Sequence, residues 1–244
     1  MAWLKNHPFA VEALLARITV VTFAAPIASL QPLIPECLTL DTFADSWGFL
    51  AVAMVQTSGL RPAGLPACLG RNFFLIGYRV FVRFTTAEGK RLRGLYILKS
   101  ETDKWQMEWL GNLFTGYHYA TIDIEQRQTA SGLRISSNKA RLTIEVSTAA
   151  EPSLPEGSPF ASWQQARRFA GPLPFTFSYE PERQQVTIVE GKREDWVPRP
   201  VCVDKAQVGL LEDLGLEGLR LASAFTMADI PYHWQKGRTE LWHR

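Results

Sequence analysis

The chain contains 244 residues, of which 46% are hydrophobic and 20% are charged. This balance is typical of a globular protein with a sizeable core, and the length suits one large β-rich domain or two small ones. The formal net charge is only +2, from 26 basic and 24 acidic residues, which argues against a nucleic-acid partner because such proteins concentrate Lys and Arg on one face.

The three cysteines, Cys37, Cys68 and Cys202, are far apart in the sequence. Their spacing fits neither a CxxC pair nor a set of zinc ligands, and an odd count argues against a disulfide framework. The four histidines also show no spacing typical of a metal site. We therefore expect no metal and no cofactor, and the cysteine usage indicates a reducing cytoplasm.

The N-terminal region has a superficial likeness to a secretory signal. Glu12 and Arg17 interrupt its apolar stretch, however, and the hydrophobic region of a signal peptide tolerates such charges poorly. The longest uncharged run, residues 18–30, contains Pro26 and is too short to cross a bilayer. We expect no membrane segment and no cleaved leader.

The first third of the chain predicts strands separated by turns. Residues 8–16 predict a short helix, with a proline tolerated in its first turn. Residues 17–23 are β-branched and aromatic and predict a strand, and the nearly apolar run 47–55 predicts a strand covered on both faces. Residues 59–72 are rich in Gly and Pro and predict a loop.

Residues 73–84 predict a strand whose two faces differ. Because side chains alternate along a strand, the more apolar face is formed by Tyr78, Val80, Val82 and Phe84. The other face carries Arg79, Phe81 and Arg83. A hairpin turn at 88–90 leads into a further strand over 91–100.

Residues 103–114 are the strongest helix candidate in the middle of the chain. Trp105, Trp109 and Leu113 recur at a four-residue step, and Asp103 is a suitable first residue. Later segments predict strands after Gly116, a loop at 150–159, a helix from Trp163, a hairpin around 181–183, a short helix near 204–214 and a last strand over 220–233. Together these elements predict one strand-dominated α+β domain over residues 1–244, with a curved or barrel-like sheet.

Three stretches of the chain resemble acetoacetate decarboxylase in order and spacing. They are the strand 21–23 followed by PECLTLD at 35–41, the segment VAMVQTSGL at 52–60, and GNLFTGYHYA at 111–120. Over residues 7–240 the chain is more closely similar to the YqjF-like uncharacterised bacterial family, domain of unknown function 2071, which shares this fold. The resemblance implies an acetoacetate decarboxylase-like curved antiparallel sheet, or cone-shaped barrel, with a few peripheral helices and a central cavity.

The resemblance also locates the catalytic lysine pair of the decarboxylase, and this chain lacks it. The matching positions read Tyr119 and Ala120, and neither side chain can form an imine. Leu65 falls near the place of an acidic residue that the decarboxylase carries in the loop after its T-S-G-L motif. The fold is therefore implied without Schiff-base decarboxylation, because activity belongs to the site and not to the fold.

Segment 111–120 is expected to line the cavity and to offer Asn112 and Tyr117 as ligand-binding residues. His118 and Tyr119 are the candidate catalytic residues there, since imidazole suits acid–base chemistry near neutral pH. Strand alternation places Tyr117 and Tyr119 on one face and His118 on the other, unless the break at Gly116 turns the chain. The alternative for His118 is a purely structural role.

Four further residues complete the set of candidates. Lys99 could act as a displaced nucleophile if it were buried, although pairing with Glu101 would keep it charged. Arg79 could hold a carboxylate by forked hydrogen bonds, as could Arg83, or the two could form a solvent-facing ladder. His233 could reach the site or close the barrel.

Three functions remain open at this stage. The first is a protein or enzyme that binds a small acidic or carbonyl-containing molecule in the cavity, using acid–base or electrostatic chemistry. The second is a non-catalytic module, acting through an interface or as a homo-oligomer, whose cavity is plugged by its own 14 Phe, 8 Trp and 6 Tyr side chains. The third is a lyase that uses Lys99.

Overall fold

A computed structural model describes residues 2–148, 152–171, 173–194 and 196–242. Fifteen strands dominate it. They are Val11–Pro26 (β1), Thr39–Leu40 (β2), Trp47–Pro62 (β3), Arg71–Thr85 (β4), Arg91–Thr102 (β5), Tyr119–Thr121 (β6), Glu125–Gln128 (β7), Gly132–Ser137 (β8), Leu142–Ser147 (β9), Phe175–Glu180 (β10), Gln185–Arg193 (β11), Arg199–Pro200 (β12), Cys202–Val208 (β13), Arg220–Trp234 (β14) and Arg238–Leu241 (β15). The α-helices are Ile27–Leu30 (α1), Trp105–Phe114 (α2), Trp163–Ala170 (α3) and Gly209–Asp213 (α4).

Seven strands close into a barrel. Their order is β14-β1-β3-β4-β5-β10-β11, and β11 pairs back to β14 where Gly191 meets Trp234. Neighbours run antiparallel except β5 and β10, which are parallel. Closure leaves no open edge among these seven strands and separates an inside from an outside. The predicted fold class, a strand-dominated curved sheet with few helices, is confirmed.

The two faces of the barrel strands belong to two different cores. A second, four-stranded sheet, in the order β13-β9-β8-β7, covers part of the outer face. Between them lies the larger core, which includes Tyr78, Val80, Ile135, Ile144 and Phe177. The inward faces form a smaller cluster. Burial on both faces explains why these strands are so apolar in the sequence.

The predicted helix over residues 8–16 is wrong, because most of this segment belongs to β1. An apolar run of this length fits a helix or a strand, and pairing with β14 on one side and β3 on the other decides between them. Ala13 and Leu15 are buried while Leu14 is 40% exposed, which is the two-residue alternation of a strand. Strands β3 and β4 likewise extend into the predicted loop at 59–72.

Helix α2 confirms the helix predicted over residues 103–114. The side of the helix that packs against the protein is, however, not the side that carries the two tryptophans. Trp105 and Trp109, which set the predicted four-residue step, are 67% and 62% exposed. The buried positions are Met107 and Gly111. Near the C-terminus, a short helix is predicted near 204–214. Only α4 is helical there, because the residues before it form β13.

Arg83 is held by a carboxylate of the protein itself. Asp41 is fully buried, and its two oxygens accept hydrogen bonds from the Nε atoms of Arg83 at 2.6 Å and Arg93 at 2.7 Å. These two arginines are direct partners across β4 and β5. Asp41 therefore neutralises two adjacent cations, and Arg83 does not line the cavity described below.

Asp41→Asn should lower the free energy of unfolding by about 2–3 kcal/mol. The amide accepts on one atom only and leaves two like charges adjacent, although partial exposure of both arginines softens the loss expected for a broken buried pair. Urea denaturation measures the change. Glu145→Gln, which breaks a more exposed pair with Arg134, is the control and should shift stability by no more than about 0.5 kcal/mol. Equal effects of the two substitutions would contradict this role of Asp41.

Candidate functional site

A cavity of about 340 Å³ lies inside the barrel. All seven barrel strands contribute to its lining, together with helix α2 and the segment before β1. The walls are mostly apolar and include Val20, Leu75, Leu95, Ile97 and Phe225. This volume falls within the range of small-molecule sites, about 300–1,000 Å³.

Small residues on two neighbouring strands help to keep this space open. Ala51 and Ala53 on β3 line the cavity and pair with Arg79 and Gly77 on β4. Larger side chains at these alanines would project into the same volume, since inward positions recur every second residue. Aromatic rings pack together next to it: Phe49 stacks on Phe160 with centroids 5.2 Å apart.

Arg79 is the central polar side chain of the cavity. Its Nε is buried and has no hydrogen-bond partner, and no described carboxylate forms an ion pair with it. Burial lowers the pKa of Arg79, but a guanidinium titrates so high that it stays charged in proteins. Gly77 makes its position possible, because a Cβ there would lie 2.8 Å from the Arg79 Nε.

Three tyrosines line the cavity around this cation. They are Tyr117, Tyr119 and Tyr232. Burial raises the pKa of Tyr119 to about 12 and that of Tyr117 further still, so both phenols stay protonated and can donate hydrogen bonds. The buried hydroxyl of Tyr117 has no partner among the described residues.

Two glycines make room for two of these phenol rings. A Cβ on Gly111 of α2 would lie 2.3 Å from the ring of Tyr119, and one on Gly191 of β11 would lie 1.9 Å from the Tyr232 hydroxyl oxygen. Real Cβ contacts do not come that close, so any other residue would displace the ring. The glycines therefore fix the positions of the phenols through close approach.

His118 lies outside the cavity lining and is exposed. Its φ of 52° is in the left-handed region, which side chains other than glycine rarely adopt. The turn directs its imidazole to solvent, while Tyr117 and Tyr119 on either side both reach the cavity. The chain break foreseen at Gly116 thus occurs two residues later and does not bring His118 into the site.

Asn112 holds the backbone of Tyr119 instead of facing the cavity. Its Nδ2 donates to the Tyr119 carbonyl at 2.9 Å, and its Oδ1 accepts from the Tyr119 amide at 2.8 Å. This double contact fastens β6 to α2. Asn112 therefore holds a cavity residue in position, and it does not itself line the cavity.

Lys99 and His233 also lie outside the cavity lining. The Lys99 amine is 2.6 Å from a carboxylate oxygen of buried Glu101, whose other oxygen accepts the Tyr78 hydroxyl at 2.7 Å. This trio is on the outward face of the barrel. The His233 side chain is 51% exposed, and its Nδ1 is 3.7 Å from the Glu12 carboxylate. The structure thus brings Arg79, Tyr117 and Tyr119 together and separates them from Asn112, His118, Lys99 and His233.

His7 and Tyr232 line the cavity and were not singled out from the sequence as candidates. Burial lowers the pKa of His7 from 6.5 to about 4, against a smaller opposing contribution from a hydrogen bond with the Phe9 backbone. The His7 ring lies beside that of Tyr117, with centroids 6.1 Å apart. Only long-range pairing brings residues 7 and 232 to this place, so no local sequence signal could have found them.

Nothing in the described part of the chain forms a metal centre: no three His, Cys, Asp or Glu side chains cluster there. No helix of the described ranges is long and apolar enough to cross a membrane. The polar atoms of the cavity are mainly nitrogen and phenol donors, which suit an acceptor ligand better than a cation.

A closed barrel with this internal cavity is the acetoacetate decarboxylase-like fold. An acetoacetate decarboxylase-like enzyme from Sphingomonas wittichii RW1 matches with a TM-score of 0.57 and 14% identity, over 96% of this chain and 93% of the other. Acetoacetate decarboxylase from Legionella pneumophila gives 0.60 and 10%, over 94% and 86%. The enduracididine biosynthesis enzyme MppR in complex with pyruvate gives 0.53 and 14%, over 95% and 90%.

The chain belongs to the DUF2071 family, described as an uncharacterized conserved protein, whose model matches residues 13–239. No curated protein matches the chain significantly. At identities of 10–14%, the solved structures share the fold with this chain, and the resemblance seen in the sequence is confirmed at that level.

Stability should depend on pH through His7. Between pH 6.5 and about 4 the unfolded chain binds a proton at this residue that the folded protein does not bind. The free energy of unfolding therefore falls as the pH drops through this window, by about 2–3 kcal/mol from this residue. Urea denaturation at several pH values measures it.

The comparison uses two matched variants. His7→Asn should remove this part of the pH dependence, since Asn also tolerates the left-handed backbone of residue 7. His118→Asn alters the exposed left-handed histidine and should retain it. An unchanged pH dependence in His7→Asn would show that His7 is not the source.

Proposed function

We propose that this protein binds a small molecule carrying an acidic or carbonyl group in the barrel cavity, with Arg79 and Tyr117 contacting its oxygen atoms. One observation carries the proposal: the Nε of Arg79 and the hydroxyl of Tyr117 are buried without hydrogen-bond partners among the described residues, in a cavity whose walls are mostly apolar. Tyr119 and Tyr232 complete the polar side of the site.

The energetics favour an acceptor ligand. A buried donor without a partner costs about 1–3 kcal/mol, and more when it is charged. A protein that keeps a cation in such a place usually pairs it, and here no described carboxylate does so. A carboxylate or carbonyl oxygen from a ligand would satisfy both Arg79 and Tyr117, and a guanidinium binds a carboxylate through forked hydrogen bonds.

Two features of this chain argue against the imine route of the decarboxylase. Tyr119 occupies the position that the resemblance assigns to a lysine, and Lys99 is ion-paired outside the lining. Any reaction would therefore use acid–base or electrostatic catalysis. The pyruvate complex of MppR supports the ligand class, since pyruvate carries both a carboxylate and a carbonyl, and that enzyme shares the fold.

A thermal-shift screen of carboxylic and 2-oxo acids tests the proposal. A ligand present at 100 times its Kd stabilises the folded state by about 2.7 kcal/mol, which raises Tm by about 5–10 °C in a chain of this size. Arg79→Met should abolish the shift for every compound that binds the wild type. The variant without ligand should be no less stable than the wild type, because methionine removes an unpaired cation and fills similar space.

His233→Ala serves as the control because its imidazole is exposed and lies outside the lining. It should leave every shift unchanged. Two results would count against the proposal: Arg79→Met retaining all shifts, or no acid or carbonyl compound in the screen stabilising the wild type.

A further inference from the structure

His7 is a cavity residue that the proposed binding function does not use. Its backbone is fixed at both ends, since its N–H donates to the Phe114 carbonyl at 3.1 Å and its C=O accepts from the Gly237 amide at 2.8 Å. Gly237 is needed for this approach, because a Cβ there would lie 2.1 Å from the Asn6 carbonyl oxygen. Helix α2 and the turn before β15 therefore hold the imidazole at the cavity wall.

This position is strained as well as fixed. The φ of His7 is 55°, in the left-handed region, and such backbone costs on the order of 1 kcal/mol for a residue other than glycine. Strain of this kind persists where the surrounding structure imposes it, and it is concentrated at functional sites. His7 combines this backbone strain with a position in the cavity lining. The exposed His118 has the same strain but does not line the cavity.

The surroundings of His7 keep its imidazole uncharged. Burial holds its pKa at about 4. The titratable group that its ring contacts is Tyr117, which is itself protonated because burial raises its pKa. The elements packed against its backbone contribute Phe114 and Gly237, which carry no charge. A neutral imidazole has one nitrogen lone pair, so His7 can accept a proton beside the ring of Tyr117, the residue that would hold the ligand's oxygen.

We propose that His7 is a general base that removes a proton from the carbon next to the carbonyl group of a 2-oxo acid bound in the cavity. This inference rests on the proposed binding of an acidic carbonyl compound by Arg79 and Tyr117. The apolar walls further indicate that the rest of the substrate is an alkyl or aryl group. The activity is therefore enolisation of an apolar 2-oxo acid, without an imine.

The step balances without any co-reactant. The bond between hydrogen and the carbon next to the carbonyl breaks, and the proton moves to the free nitrogen of His7. The electron pair of that bond forms the new carbon–carbon double bond, and the π pair of the carbonyl group moves to its oxygen. Tyr117 and Arg79 donate hydrogen bonds to the enolate and carboxylate oxygens, which stabilises the charge where it develops. Return of a proton to the same carbon restores the 2-oxo acid, so the net reaction in D₂O is exchange of hydrogen for deuterium.

The probe for the experiment is 4-phenyl-2-oxobutanoate. Its binding to the full-length chain is measured by calorimetry, and loss of its C3 proton signal in D₂O is followed by NMR at pD 7. The wild type should bind the probe and accelerate the loss above the rate in buffer. His7→Asn should keep the Kd within about threefold but slow the enzyme-dependent exchange by about 10²-fold or more, the usual contribution of a general base.

His118→Asn is the matched control, because it changes the other left-handed histidine and should leave both Kd and exchange unchanged. Binding without exchange in the wild type would overturn the inference while leaving the proposed binding function intact. Exchange that persists in His7→Asn would also overturn it. A wild type that does not bind this probe would overturn the substrate class, and a screen in which other acids bind through Arg79 would show that only the inference had failed.

Discussion

A buried guanidinium that no carboxylate of the described ranges pairs with, in a mostly apolar cavity, is the constraint on which the rest of this structure depends. The cost of burying Arg79 unpaired has to be met by the remainder of the fold, and the outer core between the barrel and the small sheet supplies much of that apolar burial. By contrast, Asp41 neutralises Arg83 and Arg93, whereas no described carboxylate pairs with Arg79.

The neighbours of Arg79 are arranged by backbone geometry as much as by side-chain choice. Gly77, Gly111 and Gly191 each occupy a place where a Cβ would collide with the side chain of a cavity residue. Glycines on three separate elements, β4, α2 and β11, thus make room for polar side chains carried by β4, β6 and β14. Preorganisation of this kind lowers the entropy cost of binding, since the donors are already positioned before a ligand arrives.

The sequence predicted the parts of the site that depend on short-range rules. Alternation along β4 placed Arg79 on the face opposite Tyr78, and the family resemblance located Tyr119. The rest depends on contacts between distant segments. No local pattern places His7 beside Tyr117.

Prediction of the fold is also limited by contacts between distant segments, which local patterns do not reveal. The prediction of a helix over residues 8–16 is wrong because a short apolar run fits both helical and strand periodicity. Only pairing with β14 and β3 makes this segment a strand. Trp105 and Trp109 set an apparent apolar stripe on α2 that is exposed, since Met107 and Gly111 occupy the side that packs. The fold class is still predicted correctly, because most strands carry strong β-branched and aromatic patterns.

Crystallographic soaking with 4-bromobenzoate tests the central claim most directly. The bromine is located by its anomalous signal, and the carboxylate can be placed relative to it. The account predicts the carboxylate oxygens within hydrogen-bonding distance of the Arg79 guanidinium and the Tyr117 hydroxyl, with the bromine against the apolar wall. An empty cavity at saturating ligand, or a carboxylate bound elsewhere while Arg79 stays unpaired, would contradict it.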